Sequence, residues 1–327
     1  MHSPSDDPQE HPSDRPQPDA AAPQLVYLSS GIAASPKRPR DPAFFRNLRE
    51  LLDMIKFEHT VFALPFALLG AMATARGLPP LAKVLWILAA MVGARTAAMT
   101  FNRLADQDLD GDNPRTRERA LPAGRVSRAG AMALLGAAVV LFGYAAGQLG
   151  PLPWKLVPLA LLVILGYSFC KRFTLLSHAV LGLSLAGAPL GAWIAVNGKL
   201  DPPAWCLALG VLTWTAGFDI LYACQDYTAD IAGGLHSIPA RLGIPLALCV
   251  ARLTHLLSVA LLILLGFATP QFHTLYFVGV GLAIVLLCIE HAVARADDLS
   301  RINLAFFTLN GFISLVLGTL GIIDALR

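Results

Sequence analysis

The stretch Leu81-Ala-Lys-Val-Leu-Trp-Ile-Leu-Ala-Ala-Met-Val-Gly-Ala-Arg95-Thr-Ala-Ala-Met-Thr-Phe-Asn102-Arg103-Leu-Ala-Asp106-Gln-Asp108-Leu-Asp110 joins a long apolar run to an acidic end. The apolar part is about 25 residues long, and roughly 20 suffice to cross a bilayer as a helix. Asn102, Asp106 and Asp110 follow at i, i+4 and i+8, which places them on one helical stripe. Arg95 lies seven residues earlier on nearly the same stripe, roughly 10 Å deeper toward the bilayer centre.

The rest of the chain repeats the apolar theme. Of 327 residues 55% are hydrophobic and only 14% charged, with a mean hydropathy of +0.59. Soluble domains carry about 25% charged residues. The composition excludes a disordered chain, a collagen and a disulfide scaffold, and a net charge of +3 is too small for a nucleic-acid footprint. An all-α polytopic membrane protein remains, with the lipid bilayer as its partner.

Nine spans are expected, at about 57–76, 81–105, 128–149, 154–170, 174–197, 203–225, 244–268, 272–294 and 302–323. Pro65 and Pro189 fall inside two of them, where neighbouring helices re-satisfy the freed carbonyls. The runs are too long for strands and lack a period of two. Gly182, Gly187 and Gly191 are read as helix-packing positions.

Lys and Arg orient the spans. Seventeen lie before the first span or in the loops after spans 2, 4, 6 and 8, against five on the opposite side. The N-terminus and the even-numbered loops are therefore expected in the cytoplasm, and a bacterial plasma membrane is the expected location.

Residues 1–42 differ in kind. Nine prolines recur among Asp, Gln and Ser. Such a segment buries too little apolar surface to offset its chain entropy, so a disordered cytoplasmic tail is expected. It has no apolar signal-peptide core, and its acids argue against a mitochondrial transit peptide. The single membrane domain is expected over 43–327. Cys170, Cys206, Cys224, Cys249 and Cys288 show no metal or disulfide spacing and are read as small core hydrophobes.

A second acidic stripe closes the sixth span. Asp219, Asp226 and Asp230 are spaced i, i+7 and i+11, again on one face, with Tyr222 nearby. Both stripes emerge on the same expected side. Facing carboxylates repel unless cations sit between them, and Mg²⁺ takes carboxylates together with substrate phosphates and waters. The pattern points to a Mg²⁺-diphosphate site. Arg115, Arg119, Lys171, Arg172 and His236 lie in adjacent loops and are candidate clamps for diphosphate oxygens. Asp108, Asp112 and Arg103 point off the stripe and are read as solvated. Tyr222 either lines the site or packs at the membrane interface.

These residues resemble a family. Asn102-x3-Asp106-x3-Asp110 is similar to the NxxxDxxxD motif of the UbiA superfamily of intramembrane prenyltransferases, and Asp226-x3-Asp230 to its DxxxD motif. Arg115-Thr116-x-x-Arg119-x-Leu121-Pro122-x-Gly124 and Tyr167 with Lys171-Arg172 resemble the loops that follow. Within the family the pattern is similar to the 4-hydroxybenzoate polyprenyltransferase group. The chain departs from it at Asn102-Arg103, where many members have Asn-Asp, and at His236-Ser237, where many have a lysine. Glu58-His59-Thr60 and Gly234-Leu-His236-Ser-Ile-Pro239 are similar to prenyltransferases of the futalosine route to menaquinone.

The resemblance implies a nine-helix bundle that transfers a polyprenyl group from polyprenyl diphosphate to an aromatic acid in quinone biosynthesis. It implies Asn102, Asp106, Asp110, Asp226 and Asp230 as Mg²⁺ ligands and Arg95 at the acceptor's carboxylate. A buried arginine needs an anion, and an aryl carboxylate suits its fork. Asp219 is either a base or an orienter. The expected acceptor is 4-hydroxybenzoate, with 1,4-dihydroxy-6-naphthoate as the alternative. A secondary transporter is the competing class, but transporter sites lie near the midplane, whereas most acids here lie at one face. A non-catalytic isoprenoid-binding protein would be favoured by loss of a metal aspartate, and none is missing.

Overall fold

The computed structural model describes residues 50–51, 54, 60–75, 77–299 and 301–327. The tail 1–42, the basic residues before the first span and the Glu58-His59 segment lie outside the described residues. Twelve α-helices of five or more residues are described, and no strand. They are α1 (Thr60–Thr74), α2 (Leu81–Ala105), α3 (Gln107–Asp112), α4 (Arg128–Leu149), α5 (Pro151–Cys170) and α6 (Ser177–Asn197). After these come α7 (Pro202–Ala223), α8 (Tyr227–Ala232), α9 (Ile238–Leu242), α10 (Ile244–Ala268), α11 (Thr274–Val293) and α12 (Asn310–Ala325).

Eight of the described helical segments are long and apolar enough to cross a membrane, and α1 supplies a shorter ninth. Their starts follow local chemistry. Proline opens α5, α7 and α10, where its missing N–H costs nothing. The Ser127 hydroxyl accepts from Gly130 N–H and caps α4. Gly198, at φ 75°, ends α6 in the left-handed conformation.

The packing repeats. α2 lies chiefly against α4, and α7 against α10; α1 packs on α6, and α12 closes onto both α1 and α11. α7 is the most enclosed helix, and Trp214 on it is 2% exposed amid Phe62, Phe66 and Phe218. Its indole N–H donates to Asn310 Oδ1 at 2.8 Å, and Asn310 Nδ2 donates to the fully buried Glu290 at 2.6 Å. This buried polar chain ties α7, α11 and α12. Large apolar side chains such as Leu162, Leu253 and Phe267 cover the outer surface, as a lipid solvent requires.

Several expectations are corrected. Of the three packing glycines only Gly182 packs: a Cβ there would fall on the Leu212 carbonyl, whereas Gly187 and Gly191 have nothing within reach. Cys249 and Cys288 are exposed on the bundle's outer face, while Cys170 and Cys224 are buried. The ninth span does not run as one α-helix from 302, since Ala305–Leu309 form a wide π turn before α12.

Candidate active site

Both acidic stripes are broken at corresponding points. α2 ends at Ala105, and Asp106 sits at φ −101°, ψ 11° before α3. α7 ends at Ala223, a 3₁₀ turn follows, and Asp226 sits at φ −94°, ψ 8° before α8. This bridge conformation is frequent at active sites. The expected continuous stripes are therefore two helix ends, each followed by a six-residue helix that turns the later acid inward.

Between them lies a cavity of about 700 Å³. Asn102, Asp106, Asp110, Asp226 and Asp230 line it, with Asp219, Tyr222 and Arg95. Asn102 Nδ2 donates to Asp106 Oδ2 at 3.1 Å and lies 3.4 Å from Ser168 Oγ on α5. Asp106 is buried and faces two cations, Lys171 Nζ and Arg172 Nη2, each at 3.1 Å. Asp110, also buried, takes both its bonds from Arg119 Nη1, at 2.6 and 2.8 Å. Arg115 Nε donates to Asp226 Oδ1 at 2.8 Å, and Asn113 Nδ2 to the same oxygen at 3.2 Å. Burial opposes the charge on Arg115, but its bonds to Asp226 and Tyr222 outweigh that and raise its pKa above the ordinary guanidinium value.

Asp230 forms no ion pair among the described residues. No three acidic, imidazole or thiol groups among them stand close enough to hold a metal as arranged. In place of the expected convergence of carboxylates, Asp106, Asp110 and Asp226 are each turned to basic partners. Their oxygens are still the donor type that a hard divalent cation takes, and they lie on two walls of one cavity.

His236 is displaced from the expected clamp. It does not line the cavity; its ring meets Arg241 Nη2, and its backbone N–H donates to Lys171 O at 2.7 Å. The next residue, Ser237, lines the cavity in its place. Arg172 reaches Asp106 from outside the lining. Arg103, expected in solvent, is buried and lies 3.6 Å from Asp110, seven residues on and so on the same helical face. Asp108 is exposed as expected, and Asp112 is exposed at the cavity edge.

Sequence reasoning missed Asn113, Ser168, His178, Phe306 and Phe307. These five meet the site only through contacts between separate elements, which no local spacing signals. His178 Nδ1 stands 2.7 Å from Asp219 Oδ2. Phe306, raised by the π turn, packs 4.2 Å from the Tyr222 ring, 5.3 Å from Phe218 and 5.7 Å from Phe62. Of the two alternatives for Tyr222, the structure places it in the cavity lining, with its ring against Phe306. One end of the cavity is charged, and its walls elsewhere are aromatic and aliphatic, with Leu181 and Leu185.

Comparison with known proteins places the chain's family and fold. A family model described as the UbiA prenyltransferase family matches residues 63–316. A relative in Aromatoleum aromaticum, named 4-hydroxybenzoate octaprenyltransferase, is 30% identical over 253 residues, covering 76% of this chain and 84% of its own. A UbiA homologue from Aeropyrum pernix K1 superposes with a TM-score of 0.75 at 33% identity, over 82% of this chain and 98% of that one. A UbiA homologue from Archaeoglobus fulgidus, solved with GPP and Mg²⁺, shares the fold at a TM-score of 0.69 and 20% identity, over 84% of this chain and 99% of its own.

Proposed function

Because the chain belongs to the UbiA prenyltransferase family, we propose that it transfers a polyprenyl group from polyprenyl diphosphate to an aromatic carboxylic acid, 4-hydroxybenzoate, in quinone biosynthesis. One observation carries the reading: acids on two cavity walls, three of them (Asp106, Asp110 and Asp226) paired with Arg or Lys, stand beside an apolar aromatic wall and Arg95. A charged diphosphate with a greasy tail and an aryl carboxylate fit those three features.

The donor's diphosphate lies between the two walls. Lys171, Arg172, Arg119 and Arg115 turn from their carboxylates to its oxygens and stabilise the charge that grows there as the allylic C1–O bond breaks. This frees Asp106, Asp110 and Asp226 which, with Asp230 and Asn102, would hold Mg²⁺. When bound, Mg²⁺ supplies Lewis-acid neutralisation of the diphosphate. The likeness to a homologue solved with GPP and Mg²⁺ supports this donor and metal.

Arg95 holds the acceptor's carboxylate, and Asp219 lies on the same cavity for its hydroxyl. The aromatic wall excludes water that would quench an allylic cation. The Lys and Arg asymmetry supports a plasma-membrane protein with its N-terminus and its charged cavity end at the cytoplasmic face.

The test uses membranes containing the protein, Mg²⁺ and a polyprenyl diphosphate, with 4-hydroxybenzoate and 1,4-dihydroxy-6-naphthoate offered separately. Prenylated 4-hydroxybenzoate, absent with Asp106→Ala, is the expected product. Product from the naphthoate alone would replace the acceptor and keep the reaction. No product from either acceptor in folded protein would overturn the reading.

A further inference from the structure

We infer that His178 is a positioning residue for Asp219: its ring holds one carboxylate oxygen so that the other is presented to the acceptor's hydroxyl. The inference rests on the prenyl-transfer reading of the same cavity.

His178 is the second residue of α6 and is 4% exposed. Its Nδ1 lies 2.7 Å from Asp219 Oδ2 on α7. Its Nε2 lies 3.3 Å from the backbone nitrogen of Ile238, the first residue of α9. A backbone N–H can only donate, so Nε2 is the accepting nitrogen. The ring of a neutral histidine then carries its one proton on Nδ1 and gives it to Asp219.

The Ile238 N–H is itself fixed. Ser237 caps α9 through Ala240 N–H at 3.3 Å, and His236 N–H is tied to Lys171 O. The imidazole therefore has its orientation set from α9 and passes it to a side chain on α7. Asp219 has a side chain 24% exposed and lines the cavity. Among the described residues its Oδ1 makes no hydrogen bond. A carboxylate with one oxygen held and the other open is suited to accept a proton in a defined direction.

In the reaction the ring carbon beside the hydroxyl donates its π pair to C1 of the prenyl group. The C1–O bond breaks and its pair leaves on diphosphate. The hydroxyl proton passes to Asp219 Oδ1, leaving a ring ketone with a tetrahedral carbon. Loss of the proton on that carbon and return of one to the oxygen restore the phenol, so one proton is released overall. His178 keeps its own proton throughout.

Three variants separate positioning from mere anchoring of α9. His178→Asn places an amide N–H near the former Nδ1 and keeps the bond to Asp219. His178→Gln places an amide oxygen near the former Nε2 and keeps only the bond from Ile238. His178→Phe keeps neither. We expect kcat to fall roughly 10- to 100-fold in His178→Phe and His178→Gln, as for other outer-shell partners of a reacting group, and only about threefold in His178→Asn. The donor KM should stay constant in all three. In an Asp219→Asn background His178→Phe should cost little more, the mark of two residues acting as one unit.

The opposite order, with His178→Gln active and His178→Asn impaired, would overturn the inference, as would full additivity with Asp219→Asn. Wild-type protein is assayed alongside with the acceptor that it prenylates. Absence of wild-type product with every acceptor would instead strike the prenyl-transfer reading. If His178→Phe does not fold in detergent, the Asn and Gln pair decides.

Discussion

Arg115, in the loop after the first acidic stripe, closes onto Asp226 of the second: Nε to Oδ1 is 2.8 Å, and Nη1 donates to Tyr222 OH at 2.9 Å. The guanidinium also lies 5.3 Å from the Tyr222 ring centroid. One side chain thus joins the two halves of the site across more than a hundred residues of sequence. On the proposed reading Asp226 is a metal ligand, and Arg115, which holds it here, would turn to the diphosphate when the donor binds.

Arg115→Ala is expected to lower kcat/KM for the donor by about a hundredfold, the usual cost of one charge-stabilising donor. Arg115→Lys should recover only part, because an ammonium lacks the fork that engages Asp226 and Tyr222 together. Initial rates against donor concentration give both numbers.

Chelation of divalent cations should abolish turnover in wild-type membranes, and added Mg²⁺ should restore it. Asp106→Ala should not recover with Mg²⁺. In that variant Lys171 and Arg172 lose their shared partner, and measured binding of inorganic diphosphate without metal should persist.

Arg95→Met is expected to raise the acceptor KM by about 10- to 100-fold, the worth of a hydrogen bond to a charged group. The donor KM should not change. Separate titrations of the two substrates distinguish this from a general loss of structure.

Gly182→Ala should destabilise by about 1–3 kcal/mol, since a Cβ there meets the Leu212 backbone and no flexible side chain can give way. Gly187→Ala, with open space around it, should be neutral or stabilise by about 0.5–1 kcal/mol. Thermal unfolding of the purified protein in detergent compares them.

Glu290→Ala should cost about 1–3 kcal/mol by leaving the Asn310 amide without its buried acceptor. Glu290→Gln keeps an oxygen at that place and should cost less. The same unfolding measurement applies, and a fall in kcat for Glu290→Ala would show that the clasp also holds Phe306 in the π turn beside it.

The sequence by itself determined the spans, their helical state and the acids that line the cavity. A run of some 20 apolar residues has one stable home, and an acid at its end has few tolerable neighbours. Asn102, Asp106, Asp110, Asp226 and Asp230 were legible for that reason, as was Arg95 seven residues above Asn102. Tertiary structure alone decided the partners. Nothing local marks the breaks at Asp106 and Asp226, since neither proline nor glycine stands there, and periodicity read along one helix assumed that the helix continued. Asn113 with Asp226, His178 with Asp219 and Phe306 with Tyr222 meet across helices. Their meeting depends on how each helix is rotated and crossed against the next, and that is fixed by side-chain packing of the whole bundle rather than by any stretch of sequence.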